Sequence, residues 1–439
     1  MSDPERDAGG RRMLADLLAA SHLMPLELLP ARTEETAAHA GFSQVLIYLG
    51  DLQRRVLRLV TGIGVAEEEH ASEIAVEATL PGRAYQLGQI VEAKPCDGAG
   101  HHWWVPLIDG TERLGLLRIC SEHNDERAYE DADRLAALVA LIVVSKRDSS
   151  DSLARLIRTE PMNVAAEMQW RLTNARSYAD GRVVVAASME PAYRISGDAF
   201  DYGTDGPFVH LSVFDAMGHD TAAGLTANLA VATCRNARRQ GADLLDMGQA
   251  VEDALIEQYQ HQRYATGVLA TLDTRSGELS WVNRGHPPPM LIRDSRWNTD
   301  LECAPMHPMG TGLGVKNPVC TTQLEPGDRV VLYTDGITDA RNAEGTAFGR
   351  ERFGEILIRH HADRLPVPET LRRLSETFLD HHDGRLRDDA TILLCEWLGP
   401  SLTATDHAAA LTAVTDPNPA TQPDGDHPPA PSQHRHSRP

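Results

Sequence analysis

Four aspartates occupy matching places in the chain. Asp198 stands in "ISGDAFDY" just after an apolar run, Asp215 closes "FVHLSVFD", Asp335 closes "DRVVLYTD", and Asp388 opens the run "RDDATILL". Apolar runs of this length, rich in Val, Ile and Leu, read as buried strands, so each carboxylate sits at a strand end. Strand ends far apart in sequence can converge on one rim of a sheet sandwich. A rim of carboxylate oxygens suits hard divalent ions such as Mg²⁺ and Mn²⁺. Two such ions held by shared carboxylates activate a water and clamp the oxygens of an in-line phosphoryl displacement, with no nucleophilic side chain required. Gly336 after Asp335 and Gly218 near Asp215 allow tight turns and a close backbone approach. Taken singly, each aspartate also reads as a turn residue or helix cap.

The elements that must position these carboxylates follow from periodicity. From residue 182 the chain is strand-rich: "RVVVAASME", "FVHLSVFD", "ATGVLATLDT", "ELSWVN", "PMLIR", "DRVVLYTD" and "ATILLCEW". Two helical stretches, "TAAGLTANLAVATCRNARRQ" and "DLLDMGQAVEDALIEQY", separate the second and third runs, and another is expected at 350–382. Strands with helices inserted in blocks favour an α+β sandwich over a doubly wound parallel sheet.

Upstream, residues 12–40 read as helical, with Leu14, Leu17 and Leu18 on one face. "SQVLIYLGD" and "RRVLRLVTG" read as two strands, and "HHWWVPLIDGTERLGLLRIC" as a hairpin turning at Asp109-Gly110. From Asp131 the spacing is helical through Leu135, Leu138, Val139 and Ile142, "RDSSDS" interrupts, and Leu153, Leu156 and Ile157 resume it. Two helices there read either as a connector and homodimer seam or as helices packed on their own domain. The expected organisation is an N-terminal helical segment (1–23), a small α/β domain (24–146), a helical linker (147–180), a second domain (181–398) and a disordered tail (399–439), whose Pro, Asp, Thr and His show no apolar period.

A chain of 439 residues exceeds one ordinary core. Its formal charge of −21 argues against a general binder of nucleic acid or anionic membrane. The start lacks the apolar stretch of a signal peptide, and no run reaches the ~20 apolar residues of a membrane helix. Cys96, Cys120, Cys234, Cys303, Cys320 and Cys395 are scattered without a CxxC pair, which reads as reduced thiols in a cytoplasm and gives no support for zinc.

The order "SGD..D", "FDAMGH...A", "NRGHPPPMLIR", "LEPGDRVVLYTDGITDARN", "FG.ERF" and "RDDATILL" resembles the bacterial PPM (PP2C-like) serine/threonine phosphatases of the SpoIIE and RsbU type, over about residues 160–397. "PMNVAAEMQWRL" resembles the helix leading into that domain. The resemblance implies an αββα sandwich, a centre of two Mn²⁺ or Mg²⁺ ions, and phosphoserine or phosphothreonine protein substrates. By motif, Asp198, Asp215, Asp335 and Asp388 match the metal-binding acids, and the carbonyl of Ala216 matches a metal-lending backbone oxygen. Asp201 and Asp389 are neighbours without an assigned role. "GHD" replaces the frequent "GHG", and Asp220 there reads as a helix N-cap in preference to a metal-shell group. His219 reads either as a general acid or as turn packing, His286 as structural, and Arg194 and Arg284 as surface arginines in preference to groups holding a phosphate oxygen. "GTGLGV" at 310–315 has no Lys-Ser/Thr after it and so is no Walker loop; it reads as a flexible loop beside the site.

Residues 24–146 resemble a GAF domain through "SQVLIYLGD", "LPGRAYQLGQIVEA" and "VPLIDGTERLGLLRI". Such domains hold a small ligand or a partner. His101, His102, Trp103 and Trp104 lie near that place, although an aromatic strand is usually core, and no cofactor is assigned. The expected function is a cytoplasmic regulatory phosphatase acting on a STAS-type anti-anti-sigma factor under control of the first domain. The alternatives are a catalytically decayed phosphoprotein scaffold and a metal-dependent nucleotide phosphodiesterase, the latter without any recognisable base-binding pattern.

Overall fold

The computed structural model describes residues 3–62, 72–93, 100–194, 197–294, 296–304, 306–313, 318–384, 386 and 388–400. Cys96 and the tail beyond residue 400, with its histidines, lie outside the described residues.

The first part of the chain runs α1 (Asp3–Ser21), α2 (Leu29–Ala37), β1 (Phe42–Gly50), β2 (Val56–Leu59), β3 (Glu73–Ala75), α3 (Leu80–Leu87), β4 (Val91–Ala93), β5 (His101–Asp109), β6 (Glu112–Ser121) and α4 (Glu126–Arg147). The helical stretch expected at 12–40 is broken between α1 and α2, where Pro25 precedes a short 3-10 turn. The strands form one antiparallel sheet in the order β3-β2-β1-β6-β5-β4, an architecture compatible with a GAF-like fold. The period of two along β5 sends Trp103, Val105 and Leu107 into one core and Trp104 into the core on the opposite face. Trp103 stacks on Tyr129 of α4 at 4.4 Å. Leu135, Val139 and Ile142 of α4 are buried in that same core, so this helix packs on its own sheet, the second of the two readings. The break at "RDSSDS" is real: Ser150 caps α5 (Asp151–Ile157) through Leu153 N–H.

After α6 (Val164–Leu172) come β7 (Ser177–Ala179), β8 (Val183–Glu190), β9 (Asp198–Asp205), β10 (Phe208–Ala216), α7 (Thr221–Arg239), α8 (Leu244–Tyr259), β11 (Ala265–Asp273), β12 (Glu278–Arg284), β13 (Met290–Arg293), β14 (Trp297–Asp300), β15 (Cys320–Gln323), β16 (Arg329–Tyr333), α9 (Gly336–Asp339), α10 (Arg350–Ala362), α11 (Val367–His381) and β17 (Ala390–Trp397). The single helical stretch expected at 350–382 is two helices, because Pro366 and Pro368 cannot continue α10 and instead start α11.

These strands make two antiparallel sheets, β15-β12-β11-β10-β9 and β14-β13-β16-β17-β8-β7. The alternation of faces is visible in β10, where Val209, Leu211 and Val213 face the other sheet while Phe214 and Ala216 face α7 and α8. In β17, Leu393, Cys395 and Trp397 face the inter-sheet core, and Ile392 and Leu394 face α10 and α11. The result is the αββα sandwich.

One expectation fails here. Cys303 and Cys320 are disulfide-bonded, with Cα atoms 6.0 Å apart and a sequence separation of 17. Cys320 opens β15 at the sheet edge, and neither motif nor spacing announces its pairing with Cys303. Cys120, Cys234 and Cys395 are free. Among the described residues, no helix is long and apolar enough to cross a membrane.

Candidate functional site

Strand pairing puts two of the four aspartates face to face. In the β9/β10 pair, Asp215 stands directly opposite Asp198, and directly opposed residues of an antiparallel pair share a face. Asp198 has the parity of Phe200, and Asp215 that of Val213, both in the inter-sheet core. Both carboxylates therefore enter the gap between the sheets. Asp198 does not follow a strand, as expected, but opens β9.

The opposite sheet supplies the rest. Asp335 lies two residues past the end of β16, at the start of α9, and Asp388 lies two residues before β17 instead of opening it. Asp335 and Asp388 are exposed, whereas Asp198 and Asp389 are buried. Gly336 closes the structure at this point: a Cβ there would stand 1.8 Å from the Asp389 carbonyl oxygen. Only glycine lets the Asp335 turn pack against the Asp388–Asp389 turn.

The deeper part of the site is tied together by hydrogen bonds. Thr334 Oγ1 donates to Asp198 at 2.6 Å and accepts from Thr391 N–H at 2.9 Å. Asp389 Oδ2 accepts from Gly197 N–H at 2.6 Å, and the Gly197 carbonyl accepts from Ala216 N–H. Gly197 packs so closely that a Cβ would lie 2.8 Å from the Ala216 carbonyl oxygen and 2.7 Å from that of Gly218.

The electrostatics are those of a carboxylate cluster. Burial, then the charges of Asp215 and Asp389, hold the Asp198 carboxyl well above the usual range, against the hydrogen bond from Thr334. Burial, then Asp335, Asp388 and Asp389, push Asp215 up to about 7. Asp335, although its side chain reaches solvent, is also raised, by partial desolvation and then by Asp388 and Asp339. A cation would relieve each of these shifts. The oxygen-only donor set fits a hard divalent ion. Among the described residues, no three His, Cys, Asp or Glu side chains stand close enough together to form a ligand group, so donor chemistry and charge, and not a closed shell, carry the fit.

The neighbouring residues separate cleanly. Asp201 has the opposite parity to Asp198 and faces α7, where it pairs with Arg235 at 2.6 Å and Arg238 at 2.8 Å. Asp220 caps α7 by accepting from Ala223 N–H. His219 is exposed in the preceding turn, and Arg194 is exposed as well. His286 is buried, held between Thr266 and the Tyr333 carbonyl, and burial pushes its pKa down to about 4. Arg284 is no surface residue: it is buried and paired with Glu252 at 2.7 Å. Glu252 also accepts from Gly310 and Gly312 N–H, so the described part of the "GTGLGV" loop is anchored; residues 314 and 315 lie outside the described residues. Thr334, Gly197 and the inward role of Asp389 were missed in the sequence. Strand parity could have separated Asp201 from Asp198, but no comparable signal marks Thr334.

A two-sheet sandwich with aspartates reaching one gap from both sheets is the arrangement that the resemblance to PP2C-like (PPM) phosphatases implies. Residues 205–398 match the family Stage II sporulation protein E (SpoIIE), and this part of the chain is a SpoIIE/RsbU-type PPM domain. The chain is 28% identical over 135 residues to Protein IcfG of Synechocystis sp. (strain ATCC 27184 / PCC 6803 / Kazusa), covering 30% of this chain and 20% of that protein. It is 21% identical over 239 residues to Phosphoserine phosphatase RsbU of Bacillus subtilis (strain 168), covering 53% of this chain and 69% of that protein. Among solved structures, the SiaA-PP2C domain of Pseudomonas aeruginosa is similar at 20% identity and a TM-score of 0.46, covering 58% of this chain and 99% of that one. The chain thus spans about a fifth of the length of the first relative and about two thirds of the second.

Proposed function

We propose that the chain is a metal-dependent protein serine/threonine phosphatase acting on a phosphoserine or phosphothreonine protein. The observation that carries this reading is the Asp198–Asp215 pair, opposed across β9 and β10 in the inter-sheet gap. Like charges in that position oppose folding, and a bound cation gives them a purpose. Asp198, Asp215, Asp335 and Asp388, with the Ala216 carbonyl, would hold two Mn²⁺ or Mg²⁺ ions. When bound, such ions acidify a water and neutralise charge on the transferring phosphoryl group. Thr334 fixes the orientation of Asp198, and Asp389 positions Gly197 against Ala216.

The substrate is a STAS-type anti-anti-sigma factor, a reading supported by the likeness to RsbU, and the N-terminal GAF-like domain controls the activity. The scaffold reading keeps one supporting observation, the lack of a close three-carboxylate group among the described residues.

The test is Mn²⁺-dependent phosphate release from a phosphoserine STAS protein by the full chain and by Asp335→Asn. Activity that requires metal and falls at least 100-fold in the variant supports the phosphatase. Metal-independent tight binding of the phosphoprotein without turnover selects the scaffold. Release from a nucleotide diester in preference to the phosphoprotein selects the phosphodiesterase.

A further inference from the structure

Between the two domains lies a cavity of about 490 Å³, lined by Leu52 of the N-terminal domain, Leu153 and Ile157 of α5, and Met162, Trp170 and Arg176 leading into the second domain. A smaller cavity of about 90 Å³ adjoins it, sharing Arg176 and adding Arg54 and Arg113. These cavities share no residue with the aspartate rim.

The charges around this space do not balance. Arg147 pairs with Glu112 at 2.9 Å and stands 4.0 Å from the exposed Asp148, and Arg158 and Arg171 both pair with Glu167. Asp51 is occupied by the backbone N–H groups of Gln53, Arg55 and Val56. Among the described residues, Arg54, Arg113 and Arg176 form no ion pair with a carboxylate.

Arg176 donates to the Leu52 carbonyl and lies over the Trp170 ring at 4.9 Å. The acids that attract it are Glu112, already held by Arg147, and Glu190. Burial raises the Glu190 carboxyl, which discourages its charge. The acid that attracts Arg113 is Glu369, held by Arg372 at 2.9 Å and Arg373 at 2.7 Å. Burial, followed by the repulsion of Arg54, pushes Arg176 down to about 10, so it stays protonated at neutral pH. In a chain of net charge −21, three guanidinium groups without carboxylate partners around one cavity make a cationic recess suited to an anion.

We propose that this interdomain cavity binds a small phosphate-bearing ligand, its phosphate held by Arg54, Arg113 and Arg176 and its less polar body lying against Trp170, Met162 and Ile157. Guanidinium forks match phosphate oxygens bidentately, and the larger cavity is of the size that small ligands fill. Because Arg54 and Arg113 belong to the N-terminal domain and Arg176 to the segment that leads into β7, occupancy ties the N-terminal domain to the chain that enters the phosphatase domain.

The test is calorimetric titration and thermal denaturation of the full chain, kept in EDTA so that no metal centre competes for anions. The probes are inorganic phosphate, adenosine 5'-monophosphate and succinate. The expected result is saturable binding of the nucleotide with a rise in Tm. Its affinity falls at least 10-fold in both Arg176→Gln and Arg113→Gln, recovers in part in Arg176→Lys, and is unchanged in Arg275→Gln, an exposed arginine that lines neither cavity. If Arg176→Gln fails to fold, Arg113→Gln and Arg54→Gln carry the test. Absence of saturable binding to any phosphate probe overturns the proposal, as does an affinity unchanged in folded Arg113→Gln and Arg54→Gln. Binding of succinate without phosphate overturns the ligand class.

Discussion

The Thr334 hydroxyl donates to the Asp198 carboxylate at 2.6 Å while accepting the N–H of Thr391 at 2.9 Å. One buried hydroxyl thus joins β9 of one sheet to β16 and β17 of the other at the site. Thr334→Val removes the donor and leaves a buried N–H without its acceptor, at a cost of about 1–3 kcal/mol. Outer groups that orient ligands typically contribute 10- to 100-fold. We expect Mn²⁺ affinity and phosphate release to fall by that factor, with recovery in Thr334→Ser, read by metal titration and steady-state kinetics.

Gly336→Ala places a Cβ 1.8 Å from the Asp389 carbonyl, which backbone movement must relieve. The turn bearing Asp335 then separates from the turn bearing Asp388. Activity falls more than 100-fold on the reading above, and Tm falls as well. Gly345→Ala, where nothing lies within 4 Å of the added methyl, costs only the strain of its positive φ, about 1–2 kcal/mol, and leaves activity intact.

Asp201→Asn tests the opposite assignment. Its carboxylate is fully buried between Arg235 and Arg238, and breaking such a network costs about 3–5 kcal/mol. Urea denaturation should show that loss, while kcat and metal dependence below the melting range stay within about twofold.

Asp215→Asn removes one of two opposed carboxylates. In EDTA at pH 8 the variant should be more stable than the parent, by about 1–2 kcal/mol from lost like-charge repulsion. Adding Mn²⁺ stabilises the parent and leaves the variant nearly unmoved. A variant less stable than the parent in EDTA would show that the pair is not under repulsion.

His286 gives the acid side of the stability profile. Its buried ring has a pKa near 4 in the fold and about 6.5 when unfolded. The unfolded chain therefore takes up a proton between those values and the native chain does not. Stability from this group is full above about pH 6.5 and is lost as pH falls towards 4, by up to about 3 kcal/mol. Thermal scans of His286→Gln should show a shallower decline over this window.

The strands that lead to Asp215, Asp335 and Asp388 were legible because buried strands leave apolar runs. The face each aspartate takes was not, since "SGDAFD" contains two acids three residues apart, and only the register of β9 against β10 shows that Asp198 enters the gap while Asp201 meets α7. In "RDDATILL" the same ambiguity hid the inward Asp389 behind the exposed Asp388. Arg284 read as a surface residue because its partner Glu252 is 32 positions away. The Cys303–Cys320 bond stayed hidden for the same reason: a contact made by tertiary closure leaves no local pattern.

Arg372 of α11, buried against Glu369, also reaches Glu77 in the N-terminal domain. Its helix packs on β8 and β17, the sheet whose strand ends lead to Asp335 and Asp388. The first domain therefore holds the outer skin of the half of the sandwich that leads to Asp335 and Asp388, while Asp198 and Asp215 belong to the other half. Glu77 is thus a handle on one jaw of a vice, fixed to the half that carries Asp335 and Asp388 and outside the gap where Asp198 and Asp215 face each other.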